Sequence, residues 1–267
     1  MIIRLCQLLL LIVLLIPGAI QAHAWLTLKI ATTEYPPYAS ADMQHNGYIN
    51  HIIAQALLET GVEVEFVVLP WEQAVAETLA GKYDALSYGY YVRAREDAFW
   101  HSDPVTTENL VFYASAQTGL RKWGQFDDLE RYRMGVTGGY LYTDELADYI
   151  AIGQKVISAK SDLKNLQALV AGSIDVFPVD ELTGWYLLQR DFTDSEREQI
   201  VLLAPIISTV TTHLLVPKGS RQSQLTLSLF NHGLRELTLQ GKMSRFKRLL
   251  KEGFYQHPQK PVNYDRR

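Results

Sequence analysis

Residues 83–104 read YDALSYGYYVRAREDAFWHSDP, and they decide how the rest of the chain is interpreted. The stretch opens as an apolar strand, turns at Gly89 and reaches Arg95 a few residues later. Ligands of α/β folds bind beyond the carboxyl ends of strands, which is where this arginine falls. Its guanidinium stays charged and can hold a carboxylate through two parallel hydrogen bonds. The alternative is a surface arginine paired with Glu96 or Asp97, since exposed ion pairs are common.

The composition favours a globular protein of one or two domains. The chain has 267 residues, a formal net charge of −4 and no basic excess, so we expect no nucleic-acid partner. Its 15 tyrosines outnumber its 9 phenylalanines, which suits binding of polar organic molecules. No metal-ligand spacing of histidines is apparent, and we expect neither a metal nor another cofactor.

The first 24 residues have the pattern of a cleavable signal peptide. Arg4 precedes an apolar run over residues 8–16, and residues 22–24 (Ala-His-Ala) fit a small-x-small cleavage site. The run is shorter than the roughly 20 residues that a membrane span needs, although an uncleaved anchor is the alternative. We therefore expect a periplasmic protein. The single cysteine, Cys6, lies in this segment, so the mature chain is expected to have no disulfide.

Helices and strands alternate along the remaining chain, which predicts parallel sheets. A helix, an Ala-Gly pair, an aspartate and an apolar strand occur together at residues 79–85 and again at 170–176. This recurrence indicates two lobes of similar build. Two long apolar segments, 106–115 and 206–216, are interpreted as crossings between the lobes. Residues 222–250 are predicted to be mainly helical, with breaks at Gly233 and Gly241.

The opening stretch resembles one family, the bacterial extracellular solute-binding proteins (family 3) that serve polar amino-acid ABC transporters. The family pattern is a strand, Ser-Gly-hydrophobic-Thr, an arginine and then Phe-Ser-Asp-Pro. The matching residues here are Ser87, Gly89, Arg95, Ser102, Asp103 and Pro104. The resemblance implies a type II periplasmic-binding-protein-like α/β fold, in which two lobes with mainly parallel sheets flanked by helices are joined by two hinge crossings. The expected divisions are lobe 1 (25–112 and 211–256), lobe 2 (113–210) and a flexible tail (257–267).

The first lobe supplies most of the expected ligand contacts. The loop Tyr35-Pro-Pro-Tyr38 follows the first strand, and the resemblance implies that Tyr35 stacks on the ligand, whereas turn packing is the alternative. Trp71 follows Pro70 and is expected either to wall the cleft or to lie in the core. Tyr88, Gly89 and Tyr90 are expected to line the cleft beside Arg95, which would hold a carboxylate.

The second lobe supplies the other contacts. Gly138 and Gly139 lie between a strand and a helix, where backbone N–H groups can bind an anion. Family members have Gly-Thr-Thr where this chain has Gly139, Tyr140 and Leu141, so Tyr140 either donates its hydroxyl or fills space. The resemblance implies that Asp180 binds the ligand's amino group. Aspartate at that position is also a favoured cap for the helix that follows.

We therefore expect a monomeric periplasmic protein that captures a small polar or zwitterionic molecule, amino-acid-like or a small carboxylate, for an inner-membrane ABC permease. One alternative is a sensory or degenerate binding protein without a transporter. Another is a periplasmic dehydratase-like enzyme of the same fold, for which Glu34 and Glu181 are the candidate acids or bases. No nucleophile or catalytic triad is apparent, and an enzyme is not expected.

Overall fold

The computed structural model describes residues 25–91, 93–140, 142–153, 155–219 and 221–256, so the predicted signal peptide and tail lie outside the described residues. In chain order the strands are β1 (Leu26–Thr32), β2 (Val62–Val68), β3 (Ala85–Tyr90), β4 (Phe99–His101), β5 (Thr106–Ser115), β6 (Met134–Thr137), β7 (Val156–Ala159), β8 (Val176–Asp180), β9 (Ile200–Leu202) and β10 (Ser208–Pro217). The α-helices are α1 (Tyr48–Leu58), α2 (Trp71–Leu79), α3 (Asp144–Ile152), α4 (Asp162–Val170), α5 (Glu181–Asp191), α6 (Asp194–Arg197), α7 (Arg221–Leu239) and α8 (Lys242–Lys251). Across these ranges, no helix is long and apolar enough to cross a membrane.

The strands form one continuous mixed sheet. Its order is β2-β1-β3-β10-β5-β8-β6-β7, with β4 beside β10 and β9 beside β5. The β1, β2 and β3 pairings are parallel, as are those of β6 with β7 and β8. The sheet therefore has two parallel halves, which is the pattern expected from alternating helices and strands.

The two long segments predicted as crossings join these halves. β10 pairs antiparallel with β3 on one side and with β5 on the other. In turn β5 pairs antiparallel with β8, placing Leu110 opposite Asp180. A residue on β5 therefore lies between elements from both halves of the sheet.

Apolar alternation explains the interior. In β1, Leu28 and Ile30 are fully buried, and the buried face of α1 presents Ile49, Ile52 and Ile53 to the same core. These spacings match strand and helix periods of two and about 3.6 residues.

The helical region near the carboxyl end differs from the prediction at Gly233. Helix α7 continues through this residue, and the break comes only around Gly241, between α7 and α8. A side chain at Gly233 would overlap the backbone carbonyl of Ala56 in α1. Glycine is needed there for close helix packing and not to end a helix.

Gly89 has a packing role in β3. A Cβ atom at this position would overlap the side chain of Leu215 on β10. The strand that leads to the tyrosines and to Arg95 therefore lies close to β10 because residue 89 has no side chain.

We expect Gly89→Ala to lower the free energy of unfolding by about 1–3 kcal/mol through overpacking. Urea unfolding should show this loss in the natural background. It should shrink or vanish in a Leu215→Ala background, where the overlapping atoms are gone. An equal loss in both backgrounds would contradict the packing explanation.

Candidate functional site

Four tyrosines lie together where β1 and β3 end, and we call them the tyrosine cluster: Tyr35, Tyr38, Tyr88 and Tyr90. The ring centroids of Tyr35 and Tyr88 are 5.3 Å apart, and those of Tyr38 and Tyr88 are 5.4 Å apart. Tyr90 lies 5.8 Å from Tyr88. The turn that presents Tyr35 and Tyr38 closes on itself, since the Tyr38 and Ala39 N–H groups both donate to the Tyr35 carbonyl. These rings form a compact aromatic surface.

Tyr88 has an unusual backbone conformation. Its φ is +71°, a region that bulky side chains rarely adopt. Such strain persists where surrounding contacts hold the residue in place. Here the ring packs against Tyr35 and Tyr38, and the hydroxyl is hydrogen-bonded to Glu108.

Two buried carboxylates accept the hydroxyls of the cluster. Tyr88 donates to Glu108 Oε1 at 2.6 Å and Tyr90 donates to Oε2 at 2.8 Å. Tyr38 donates to Asp180 Oδ2 at 2.9 Å, a contact between residues 142 positions apart in the chain. Glu108 is 2% exposed and Asp180 is 7% exposed. The cluster therefore connects an acid on the crossing strand β5 with an acid at the end of β8.

Asp180 also caps helix α5. Its Oδ2 accepts the backbone N–H of Thr183 at 2.7 Å, as the capping alternative predicts. The other oxygen, Oδ1, is buried and has no hydrogen-bond partner among the described residues, and the same is true of Thr183 Oγ1. Capping uses one oxygen of Asp180 and leaves the second available.

Burial raises the pKa of both acids, and the charge of Asp180 adds to the shift of Glu108. The pKa of Glu108 is raised to about 8, chiefly by burial and next by the charge of Asp180, while hydrogen bonds from Tyr88 and Tyr90 oppose the shift. Burial likewise raises the pKa of Asp180 to about 6, against the opposing hydrogen bonds of Thr183 and Tyr38. At neutral pH the pair therefore holds a proton that exposed carboxyls would have lost.

Arg95 and Trp71 adjoin the cluster. The Arg95 guanidinium lies over the Trp71 ring, 4.9 Å from its centroid, and Nη1 donates to the Tyr90 carbonyl at 3.4 Å. Burial lowers the pKa of this guanidinium. Over the described residues Arg95 makes no ion pair, and Glu96 instead accepts the hydroxyl of Tyr91. The predicted residues Tyr35, Trp71, Tyr88, Tyr90 and Arg95 thus form one connected group.

The glycine turn of the second half is less suited to anions than its sequence indicates. The Gly138 N–H donates to the Ala159 carbonyl and the Tyr140 N–H to the Thr137 carbonyl. Residue Thr143, not a glycine, is the N-cap of α3. Two of the backbone donors expected to face an anion are therefore used within the protein.

Tyr140 uses its hydroxyl in a similar way. The hydroxyl donates to Asp162 Oδ2 at 2.7 Å, and Thr137 donates to the other oxygen of the same carboxylate. Burial raises the pKa of the Tyr140 hydroxyl. This hydroxyl is already donated to Asp162.

The candidate catalytic acids are separate from one another. Glu34 is exposed and accepts the Ala41 N–H, while Glu181 accepts the side-chain amide of Asn109. Within the described parts of the chain, no group of three or more His, Cys, Asp or Glu residues could hold a metal. Each glutamate therefore accepts a hydrogen bond from a group within the protein.

A cavity of about 370 Å³ lies beside the Tyr35 loop. Glu34 and Pro36 form one wall, and Tyr186 and Arg190 of α5 form another. Arg190 is already paired with Asp191 and lies over the Tyr186 ring. The charge of Arg190 is therefore largely balanced by Asp191.

Sequence reasoning missed Glu108. The pattern of β5 was recognised, but nothing local shows which β5 residue faces β8. The register supplies this information, because Leu110 lies opposite Asp180 and Glu108 is two positions away on the same face. The one local signal was a charged residue in a strand whose other residues are all uncharged.

The mixed sheet flanked by helices is a periplasmic-binding-protein-like fold. The chain matches the family model for bacterial extracellular solute-binding proteins, family 3, over residues 28–249, and it belongs to this family. Its resemblance at residues 83–104 is thereby confirmed, as is the type II periplasmic-binding-protein-like fold. None of the curated proteins compared with the chain matches it.

Solved structures share this fold at low identity. A histidine kinase sensor domain similar to periplasmic binding proteins is 20% identical, with a TM-score of 0.66, covering 83% of this chain and 94% of that one. AbpA, an amino acid ABC transporter substrate-binding protein of Streptococcus pneumoniae bound to L-arginine, is 15% identical, with a TM-score of 0.65 and coverages of 85% and 96%. The unliganded open L-cystine solute receptor of Neisseria gonorrhoeae is 20% identical, with a TM-score of 0.65 and coverages of 89% and 96%.

The ionisation of Glu108 generates a prediction about stability. The folded state keeps this proton up to about pH 8, whereas an ordinary glutamate releases it near pH 4.5. The free energy of unfolding should therefore fall as pH rises from 4.5 to 8, by at most about 1.4 kcal/mol per pH unit from this group. Glu108→Gln cannot ionise, so its stability relative to the natural protein should increase between pH 5 and pH 8 in urea titrations.

Glu63→Gln is the matched control, because Glu63 is exposed on β2. Its stability difference from the natural protein should stay nearly constant over the same range. A constant difference for Glu108→Gln as well would contradict the raised pKa.

Proposed function

We propose that this protein captures a small polar or zwitterionic molecule, amino-acid-like or a small carboxylate, between two lobes. In this proposal it acts as a monomer in the periplasm, after removal of residues 1–24, and passes its ligand to an inner-membrane ABC permease. The observation that carries the proposal is the single connected group in which Arg95 contacts Tyr90 and Asp180 contacts Tyr38 of the tyrosine cluster. Two of the similar structures are described as a transporter's substrate-binding protein and a solute receptor.

Each residue has a proposed role. Arg95 takes a carboxylate, helped by the neighbouring face of Trp71, and Asp180 takes an amine through its unpartnered Oδ1. Tyr35, Tyr88 and Tyr90 wall the apolar part of the ligand. The rest of the proposed ligand site is lined by Gly89, Gly139 and Tyr140.

The topology supports closure between two lobes. We assign residues 25–112 and 211–256 to one lobe and residues 113–210 to the other, so that β5 and β10 carry both connections. Hinge motion at these crossings would bring the lobes together around the ligand. Exclusion of water on closure strengthens the charged contacts.

A sensory role is the second candidate. Its support is the similarity to a histidine kinase sensor domain and the Gly-Tyr-Leu sequence at residues 139–141, where transporter-linked relatives have Gly-Thr-Thr. In this case a partner protein reads the closed state and no permease takes part. Binding without uptake in cells would separate this role from transport.

A thermal-shift screen of amino acids, amines and small carboxylates tests the proposal directly. A ligand at 100 times its dissociation constant should stabilise the mature protein by roughly 2.7 kcal/mol. Arg95→Ala should abolish the shift for acidic and zwitterionic ligands, because it removes the cation that holds the carboxylate.

Arg93→Ala is the matched control, since Arg93 is exposed in the same short turn. It should leave the shift nearly unchanged. If Arg95→Ala also left it unchanged, Arg95 would not belong to the site. If none of the compounds bound, solute capture itself would be contradicted.

A further inference from the structure

We propose that Glu108 and Asp180 together form a two-acid anchor for a cation, so that the site binds compounds with a protonated amine even when they lack a carboxylate. This proposal rests on the proposed function and names its ligand class. It adds Glu108 to the binding residues and makes the ammonium end of a ligand more important for affinity than the carboxylate end. Standard amino-acid recognition needs both charged ends, whereas this anchor needs only the ammonium.

The strand register places the two acids side by side. Leu110 on β5 lies directly opposite Asp180 on β8, and Glu108 is two residues from Leu110. Side chains two positions apart in a strand point to the same face. Such diagonal neighbours across an antiparallel pair have α-carbons roughly 7–8 Å apart, so both carboxyls are close enough to act on one ligand group.

The hydrogen-bonding groups also favour a cation. The acids accept from Tyr38, Tyr88 and Tyr90 and from the Thr183 backbone, yet Asp180 Oδ1 remains without a partner while the residue is 93% buried. A buried carboxylate oxygen is costly unless a donor reaches it. An ammonium group has three donors and no acceptor, so it can donate both to Asp180 Oδ1 and to the Glu108 carboxyl. A carboxylate in the same place would be repelled.

The rings of the tyrosine cluster lie beside the same two acids. The rings of the tyrosine cluster lie 5.3–5.8 Å from one another in four contacts. The hydroxyls of Tyr38, Tyr88 and Tyr90 point at the acids, so the ring edges face them while the ring faces pack on one another. The cluster therefore adds apolar contact for the methylenes next to an ammonium group.

Arg95 does not neutralise the anchor. Its guanidinium lies on Trp71 and donates to the Tyr90 carbonyl, and its pKa is lowered by burial. On the other side of the site, the Gly138 and Tyr140 amides donate within the protein. A ligand carboxylate can therefore pair with one arginine, whereas an ammonium group can pair with two acids beside the tyrosine cluster.

Binding of a cation should release a proton. The groups facing Glu108 are the tyrosine cluster and Asp180, and together with burial they raise its pKa to about 8. An ammonium beside Glu108 favours the ionised carboxylate, so the carboxyl proton passes to the buffer as the amine binds. Affinity should then rise between pH 6 and pH 8, by at most about tenfold per pH unit.

The test compares ligands that differ only in their charged ends. Mature protein is titrated calorimetrically with straight-chain monoamines and α,ω-diamines of two to six carbons, with the amino acids that correspond to them, and with carboxylates of the same length. At least one amine should bind within about tenfold of its amino acid, and the carboxylates should bind more weakly than that amine. Titration in buffers of different ionisation enthalpy should show proton release at pH 7.

Glu108→Gln should weaken amine binding at least tenfold at pH 8 and remove the proton release, while Glu63→Gln should change neither. Circular dichroism and thermal melting confirm that each variant is folded. Asp180→Asn is a second variant, expected to weaken amine binding by a similar factor.

The outcomes separate this inference from the proposed function. If amino acids bind but no amine does, the two-acid anchor is wrong and solute capture stands. If Glu108→Gln behaves like Glu63→Gln, Glu108 is not part of the anchor. If no compound of any of the three classes binds, both the inference and the proposed function fail.

Discussion

Two buried carboxylates held by tyrosine hydroxyls are the constraint on which this structure depends. A carboxyl group loses its hydration on burial, and the loss is tolerable only where hydrogen bonds replace it. Tyr88 and Tyr90 satisfy Glu108, and Tyr38 satisfies Asp180. These bonds fix the loop after β1, hold Tyr88 at a positive φ and connect the end of β8 to residues from the beginning of the chain. The same hydrogen bonds therefore position the side chains of the site and accompany its buried acids.

The position of Glu108 links this chemistry to the fold. Strand β5 lies between β10 and β8, and these pairings join the two parallel halves of the sheet. In the proposed closure, a ligand that touches Glu108 and Asp180 contacts the crossing strand and the second lobe at once.

Much of the fold could be predicted from local patterns. The bounds of β1 and β5 follow from their alternation and length, and the caps of α4 and α5 follow from Ser161 and Asp180. The short strands β4 and β7 were missed because three or four residues carry too little periodicity to be recognised. Gly233 was misinterpreted because close helix packing and a helix break use the same residue type.

The site was predictable only in part, for a similar reason. Family resemblance pointed to Tyr35, Arg95 and Asp180, and the structure brings their neighbourhoods together. The place of Glu108 in the site depends on the pairing register of strands that are far apart in sequence. No local sequence pattern contains that register. The internal hydrogen bonds of Tyr140 likewise depend on Asp162, 22 residues further along the chain.

A crystal structure of the mature protein with a bound alkyl diamine tests the central claim most directly. The account predicts one ammonium nitrogen within hydrogen-bond distance of Asp180 Oδ1 and a Glu108 oxygen, with its methylenes against the tyrosine rings. A diamine bound instead in the cavity between Glu34 and Arg190, with the Glu108–Asp180 pair untouched, would contradict it.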